Sequence, residues 1–389
     1  MPLYSISSYG ALSTSGISSP SFHYSAGGKA VCVSGIVDVP VVASAVNVLY
    51  KGPDNNYELT EFITDFLRVG SNTLVRYTGS QTSISDTFSV YSKLCVPADK
   101  DKVRSLTSIQ FLTHGGTTDN SYWDFADGYS YVDTAALQGY ATFSYDRLGT
   151  GKSEHPDPYQ VVQAPLQVEL AHALIRKLKG GHLGNLVFNK IIGVGHSLGS
   201  ALTQGISSSH PEDFNAVVLT GHSGFTGGAG TGFAAAAQQI ANTFVDRPEF
   251  KHLPNGYFTL GPGHQTLQFA FFYYPHFDPK IFLQGYNTRQ TNAIGETLTL
   301  GNIYMPATAF KKPVLILNGQ QDYFYCQGNC LATGDVTAQA MAIFFPNAPS
   351  NQSQAITLPN FGHNLNLHLG RQKVFEKMLD FISGLGIKP

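Results

Sequence analysis

The segment Gly195-His196-Ser197-Leu198-Gly199 limits what this chain can fold into more than any other stretch. It follows a short apolar run at 191–194 and leads into a helix-compatible stretch at 200–209. A G-x-S-x-G sequence between a strand and a helix forms a turn so sharp that its serine takes a strained backbone conformation. Glycines flank the serine because side chains there would clash. The hydroxyl is thereby held clear of the sheet, beside the positive end of a helix. The bare pattern is common, so its weight comes from its flanks and from the residues downstream.

Those flanks describe an α/β chain. Apolar runs at 107–112, 141–145, 191–194, 216–220, 314–317 and 355–358 read as strands covered on both faces of a mostly parallel sheet. Helical spacing fits between them: Leu166, Leu170, Leu174 and Leu178 recur along one face until Gly180-Gly181, and Val374, Met378, Phe381 and Ile382 do the same near the end. Upstream, 29–105 reads as a β-rich portion with an inserted helix bearing Leu59, Phe62, Ile63, Phe66 and Leu67 on one face. Residues 1–28 are rich in Ser, Gly and Tyr, show no periodicity and read as a surface arm. More than ninety residues separate 220 from 314, far beyond a βα crossover. That stretch holds a Gly/Ala run at 227–237 and the cluster Phe269-Ala270-Phe271-Phe272-Tyr273-Tyr274. It leaves the C-terminal ends of the strands, where open α/β sheets place their sites, so it reads as a cap over the serine. The expected division is an N-terminal arm and β-rich portion at 1–105, core at 106–221, a cap or lid at 222–310 and core again at 311–389. A chain of 389 residues is long enough for one such domain with its insertion.

A serine hydroxyl is a poor nucleophile at neutral pH until a base takes its proton and an acid orients that base. Asp322 lies just past the run at 314–317, in Gly319-Gln320-Gln321-Asp322. His363 follows the run at 355–358, in Pro359-Asn360-Phe361-Gly362-His363-Asn364. The order Ser, Asp, His, each on a strand-end loop, is that of a hydrolytic triad. Thirteen histidines dilute any single choice. His196 and His222 sit too near Ser197 in sequence to curl back onto its hydroxyl, and His368, which lacks a preceding glycine, is the weaker rival of His363. The oxyanion hole needs two backbone N–H donors. Leu198 supplies one, and His114-Gly115-Gly116-Thr117 the other, with Gly116 the first choice and Thr117 the second. Thr117, His196, Phe271, Phe272 and Tyr273 are the expected substrate contacts. The rings of the insertion read either as an apolar pocket wall or as the insertion's own core.

The charged fraction is 13%, about half the usual level of roughly 25%. With a net charge of −2, nothing favours nucleic acid or an anionic membrane as partner. No apolar run is long enough to span a bilayer. The expected partner is a small ester-like molecule, met by a monomer or a homodimer. The chemistry calls for neither metal nor cofactor. Four cysteines lack zinc-ligand spacing. Cys326 and Cys330 can close a small disulfide loop, and Cys32 and Cys95 can join if their β-like segments pair. Met1-Pro2-Leu3-Tyr4 does not read as a signal peptide, leaving a cytosolic protein or a mature secreted one. Even cysteines, low charge and the sequon Asn351-Gln352-Ser353 favour secretion.

Together these features resemble the α/β-hydrolase fold superfamily. The matching points are His114-Gly115-Gly116, the loop Asp146-Arg147-Leu148-Gly149-Thr150-Gly151-Lys152-Ser153, the G-H-S-L-G elbow, Asp322 and His363. Ser121-Tyr122-Trp123-Asp124-Phe125, the low charge and the long N-terminal portion look like secreted fungal serine hydrolases of the lipase and esterase kind. The resemblance implies a serine-dependent carboxylic ester hydrolase acting on an apolar small molecule. Epoxide hydrolases and dehalogenases of the same fold use an aspartate where this chain has Ser197. Two other readings keep the same residues: non-hydrolytic acyl or C–C chemistry, as in a lyase or cyclase, and a non-catalytic binding protein.

Overall fold

The computed structural model describes residues 12–103, 106–224 and 226–389, so residues 1–11 of the expected arm lie outside the described residues. The described residues form twelve strands: β1 (Ser18–Tyr24), β2 (Ala30–Val48), β3 (Thr78–Pro97), β4 (Ser108–Thr113), β5 (Ala141–Tyr145), β6 (Lys190–His196), β7 (Ala216–Thr220), β8 (Gln239–Ile240), β9 (Tyr257–Thr259), β10 (Asn292–Ala293), β11 (Val314–Gly319) and β12 (Gln354–Leu358). Nine of them make one sheet in the order β1-β2-β3-β5-β4-β6-β7-β11-β12. From β5 to β12 neighbouring strands are parallel, while β1, β2 and β3 join by antiparallel pairing.

Alternation explains why the parallel strands read as unbroken apolar runs. Val217, Leu219, Val314 and Ile316 point to one face, where helices Ala164–Lys179 and Leu198–Ser209 bury Leu166, Leu170, Leu174, Leu178, Leu202 and Ile206. Ala216, Val218, Leu315 and Leu317 point to the other, against Val374, Phe375, Met378 and Ile382 of helix Arg371–Gly384. Neither face meets water, so no polar residue is needed on either.

Within the expected surface arm at 1–28, residues 18–24 form the edge strand β1. Its side chains are mostly exposed, so it carries no hydrophobic period to read. Only the base of the long β2–β3 hairpin joins the sheet, with β3 meeting β5 at 92–95. Cys32 faces Cys95 across that base, and the two are bridged. The hairpin's far end runs on, past Gln163, whose side-chain amide continues the ladder by accepting from Val46 N–H (3.0 Å) and donating to Val46 O (2.8 Å). Helix Asn56–Leu67 at its tip buries Leu59 and Phe62 against Ile240, Phe258, Ile294 and Leu298, all from the segment between β7 and β11. The N-terminal portion therefore holds the insertion in place.

Candidate active site

Ser197 follows β6 and immediately precedes helix Leu198–Ser209, with φ 55° and ψ −120°. This is left-handed backbone that a serine adopts only under constraint. The flanking glycines supply that constraint. A Cβ on Gly199 would lie 2.1 Å from Thr113 O, and one on Gly195 would lie 2.5 Å from Gly199 O. The Ser197 N–H is bound to Thr220 O at 2.8 Å, which ties the turn to β7.

His363 brings its ring to the serine from the loop after β12. Its Nε2 lies 2.7 Å from Ser197 Oγ, and its Nδ1 lies 2.6 Å from Asp322 Oδ2. Asp322 sits just past β11 as the N-cap of helix Tyr323–Cys326, where its other oxygen accepts from Tyr325 N–H at 2.9 Å. That cap fixes the carboxylate's rotation. The Cys326–Cys330 bridge closes the next turn, and Gly328 N–H returns to Asp322 O at 3.0 Å. Phe271, Phe324 and Tyr325 stand 5.2–5.4 Å from the His363 ring centroid and shut it away from water. Exclusion of water strengthens each polar contact in this line.

Beside the serine, Gly115 passes so close that a Cβ on it would lie 3.1 Å from Ser197 Cβ. The loop 114–119 is pinned from beneath. His114 Nε2 accepts from Arg147 N–H (3.0 Å), so the proton rests on Nδ1, which donates to Gly115 O (2.8 Å). Burial, then the nearby Arg147 charge, holds the His114 pKa well below the usual histidine value, keeping the ring neutral for this role. Thr117, with φ 58°, gives its N–H to Asn292 Oδ1 at 3.2 Å. That N–H is thus engaged within the protein, and Leu198 directly follows Ser197 at the start of its helix.

The expected substrate contacts divide. Phe271 lies against His363. His196 is buried beneath the site, stacked on Tyr122 at 4.3 Å, with Nδ1 on Thr220 Oγ1 and Nε2 on Asn364 Oδ1. Both ring nitrogens are thus engaged inside the protein, and it supports the loop rather than offering a donor. Phe272 packs among Phe277, Phe282 and His368 within the insertion. It and Tyr273 also border a surface cavity of about 320 Å³ with Gln265, Gln268, Phe269 and Tyr323. Thr117 borders a cavity of about 20 Å³, room for little more than a water, together with Tyr122, Phe125, Leu267, Asn364 and Leu367. Ser197 is only 8% exposed.

Sequence reasoning missed Asn292 and Glu296, and weighed His368 only as the weaker rival of His363. His368 is not a second base: its Nε2 accepts from both Gly362 N–H (3.0 Å) and Tyr273 N–H (3.1 Å), and its Nδ1 donates to Asn364 O (2.8 Å). Burial lowers its pKa to about 4, consistent with a ring that must stay neutral to accept twice. In the loop after β5, the Asp146 carboxylate takes N–H bonds from Asn120 and Lys152 at 2.9 Å each. Burial, then the Asp119 carboxylate, pushes its pKa up to about 7. Among the described residues no three His, Cys, Asp or Glu side chains are placed to share a metal ion, and no helix is long and apolar enough to cross a membrane.

Residues 111–368 match the alpha/beta hydrolase family, two thirds of the chain, and the chain belongs to that family. Among solved structures, a hydrolase from Pseudomonas aeruginosa is similar at 17% identity and a TM-score of 0.51, covering 77% of this chain and 96% of that one. An esterase from Thermogutta terrifontis is similar at 14% identity and a TM-score of 0.50, over 76% of this chain and 94% of that one. At these identities the likeness speaks for the fold alone. No curated protein matches the sequence.

Proposed function

We propose that the protein is a serine hydrolase that cleaves a carboxylic ester of an uncharged, apolar small molecule through an acyl-enzyme. The observation that carries this reading is the unbroken line from Ser197 Oγ through His363 to Asp322, at 2.7 and 2.6 Å. Ser197 Oγ attacks the carbonyl carbon as His363 Nε2 takes its proton. Asp322 holds Nδ1–H and stabilises the imidazolium that forms. The Leu198 and Gly116 N–H groups receive the developing oxyanion. His363 then protonates the leaving alcohol, the C–O bond breaks, and water repeats the sequence on the acyl-enzyme to release the acid. The segment 222–310 acts as the cap, with Phe271 against the base.

Ser197→Ala is expected to cut turnover of p-nitrophenyl esters by ~10⁴ or more while the fold is retained. Wild-type turnover in the folded variant refutes the assignment. A fluorophosphonate labelling Ser197 excludes a dead site, and product analysis separates hydrolysis from lyase or cyclase chemistry. The two disulfides support an oxidising compartment in this reading, and four free thiols by intact mass in a non-reduced sample would remove that support.

A further inference from the structure

We propose that the buried Arg147–Glu296 pair is a positioning device for the oxyanion hole, operated from the insertion. This rests on the hydrolase reading above and names two residues for it.

The argument begins with one peptide plane. The Gly115 carbonyl and the Gly116 N–H belong to the same peptide unit, and in a trans peptide they point in opposite directions. Whatever grips the Gly115 oxygen therefore aims the Gly116 N–H. That oxygen is held by three donors: His114 Nδ1 (2.8 Å), Thr118 Oγ1 (3.2 Å) and Arg147 Nη2 (3.4 Å). Arg147 enters twice, because its backbone N–H also fixes the His114 tautomer that supplies the shortest of the three. Gly115 runs against Ser197, with a Cβ on it 3.1 Å from Ser197 Cβ, and in the proposed reaction the amide that follows faces the site.

Arg147 has no contact with solvent, and a guanidinium in that position needs a counter-charge. Glu296 provides it through Nη1, and Gln167 Nε2 secures the same carboxylate oxygen at 3.0 Å. Glu296 belongs to the short helix Ile294–Thr299, in the last part of the insertion. The preceding residues bind the same two core loops: Gln290 N–H to Thr117 O (2.9 Å), Asn292 to Thr117, and Thr291 Oγ1 to Gly149 O (2.7 Å). The insertion thus reaches the oxyanion donor through a charged, forked side chain whose one arm is on the insertion and whose other arm is on the Gly115 carbonyl. Arginine suits this place and lysine does not, because only a planar fork serves two acceptors in fixed directions.

Arg147→Lys tests the device, since lysine keeps the charge for Glu296 but loses the second arm. The buried pair also has an apolar replacement, Arg147→Met with Glu296→Leu, which removes both charges together and avoids an orphaned one. Steady-state kinetics on p-nitrophenyl butyrate, with thermal denaturation of each variant, give the readout. The expected result is a fall in kcat of about tenfold or more in both variants, with KM and the pH profile unchanged. Loss of one whole oxyanion donor costs about 10²–10³, and a misaimed donor costs less. A purely structural pair would shift only the melting temperature. Wild-type kcat in either folded variant, a change in KM alone, or loss of fold in both variants would overturn the proposal. Failure of the parent reading looks different: the wild-type protein would then not be labelled at Ser197 by a fluorophosphonate.

Discussion

His368 offers a sharp test of how the base loop is held. Its ring is fully buried, and the two N–H groups it accepts come from different places: Gly362 directly precedes the base, and Tyr273 lies in the insertion. Protonation of Nε2 would turn an acceptor into a donor facing two donors, so both bonds would break at once. Burial accordingly lowers the pKa from 6.5 to about 4. The folded state then binds fewer protons than the unfolded one between those values, so stability from this group is full above about 6.5 and is lost as pH falls through about 4. The displacement is worth roughly 3 kcal/mol. His368→Phe keeps a flat ring against Phe272 and Phe361 but offers no acceptor. At pH 7 it should cost about 2–6 kcal/mol, since one buried and one part-buried N–H group are orphaned at roughly 1–3 kcal/mol each. Urea unfolding of both proteins at several pH values from 7 to 4 is the assay. The difference between them should shrink by roughly 3 kcal/mol on acidification, because the variant has no such histidine to charge. Parallel pH curves for the two proteins would refute the argument. Other buried histidines acidify in both alike and drop out of the comparison.

Further expectations concern other parts of the site. Asp146, with its pKa pushed up to about 7, contributes stability that is full below about 3.8 and lost as pH rises through about 7; Asp146→Asn should flatten that part of the urea-midpoint curve. Chain-entropy arguments give about 2 kcal/mol for the five-residue Cys326–Cys330 ring and about 4 kcal/mol for Cys32–Cys95. Replacing the first pair by serines should therefore lower kcat more than the melting temperature, through Asp322, and replacing the second should do the reverse. Phe272→Ala should cost about 3–5 kcal/mol by opening a cavity among Phe277 and Phe282. The ratio of hexanoate to acetate ester turnover should stay where it was, and a collapse of that ratio would make Phe272 a pocket wall.

What the sequence carried well was local. The elbow, Asp322 and His363 each sit at the end of an apolar strand, and such a strand announces itself within a handful of residues. β1 could not be read that way, because its side chains face solvent and leave no hydrophobic period. The Cys32–Cys95 bridge was legible only as a condition, since it depends on β2 and β3 pairing in one register. Asn292 and Glu296 gave no signal at all, and His368 gave one that pointed to the wrong role. Each reaches a partner 95 or more residues away in sequence, and nothing in its neighbours tells where the insertion will land. His368 was instead weighed as a rival base, because sequence cannot distinguish a histidine that moves protons from one that must never take one.

These unsignalled residues share a logic. A lid that only shields a site touches its rim, through side chains at the mouth. This insertion instead bonds to the backbone of the loops that would do the chemistry, and it does so at two separate places. Near its middle, 271–276 joins the base loop through His368, the Asn364 N–H bond to Phe271 O (3.0 Å) and the Leu369 N–H bond to His276 O (2.9 Å). At its end, 290–296 joins the loop 114–119 through Asn292, Gln290 and the Arg147–Glu296 pair. Serine itself stays with the sheet, fixed by the elbow and by Thr220. In the proposed reaction the two groups whose aim would matter most, the imidazole and the Gly116 amide, are thus set by one inserted segment, while the proposed nucleophile is set by another part of the fold. Relative placement of nucleophile, base and oxyanion donor then depends on how the insertion is seated, and the N-terminal helix Asn56–Leu67 is what seats it. In the proposed reaction that would give the N-terminal portion a part in the chemistry without any residue of its own in the site.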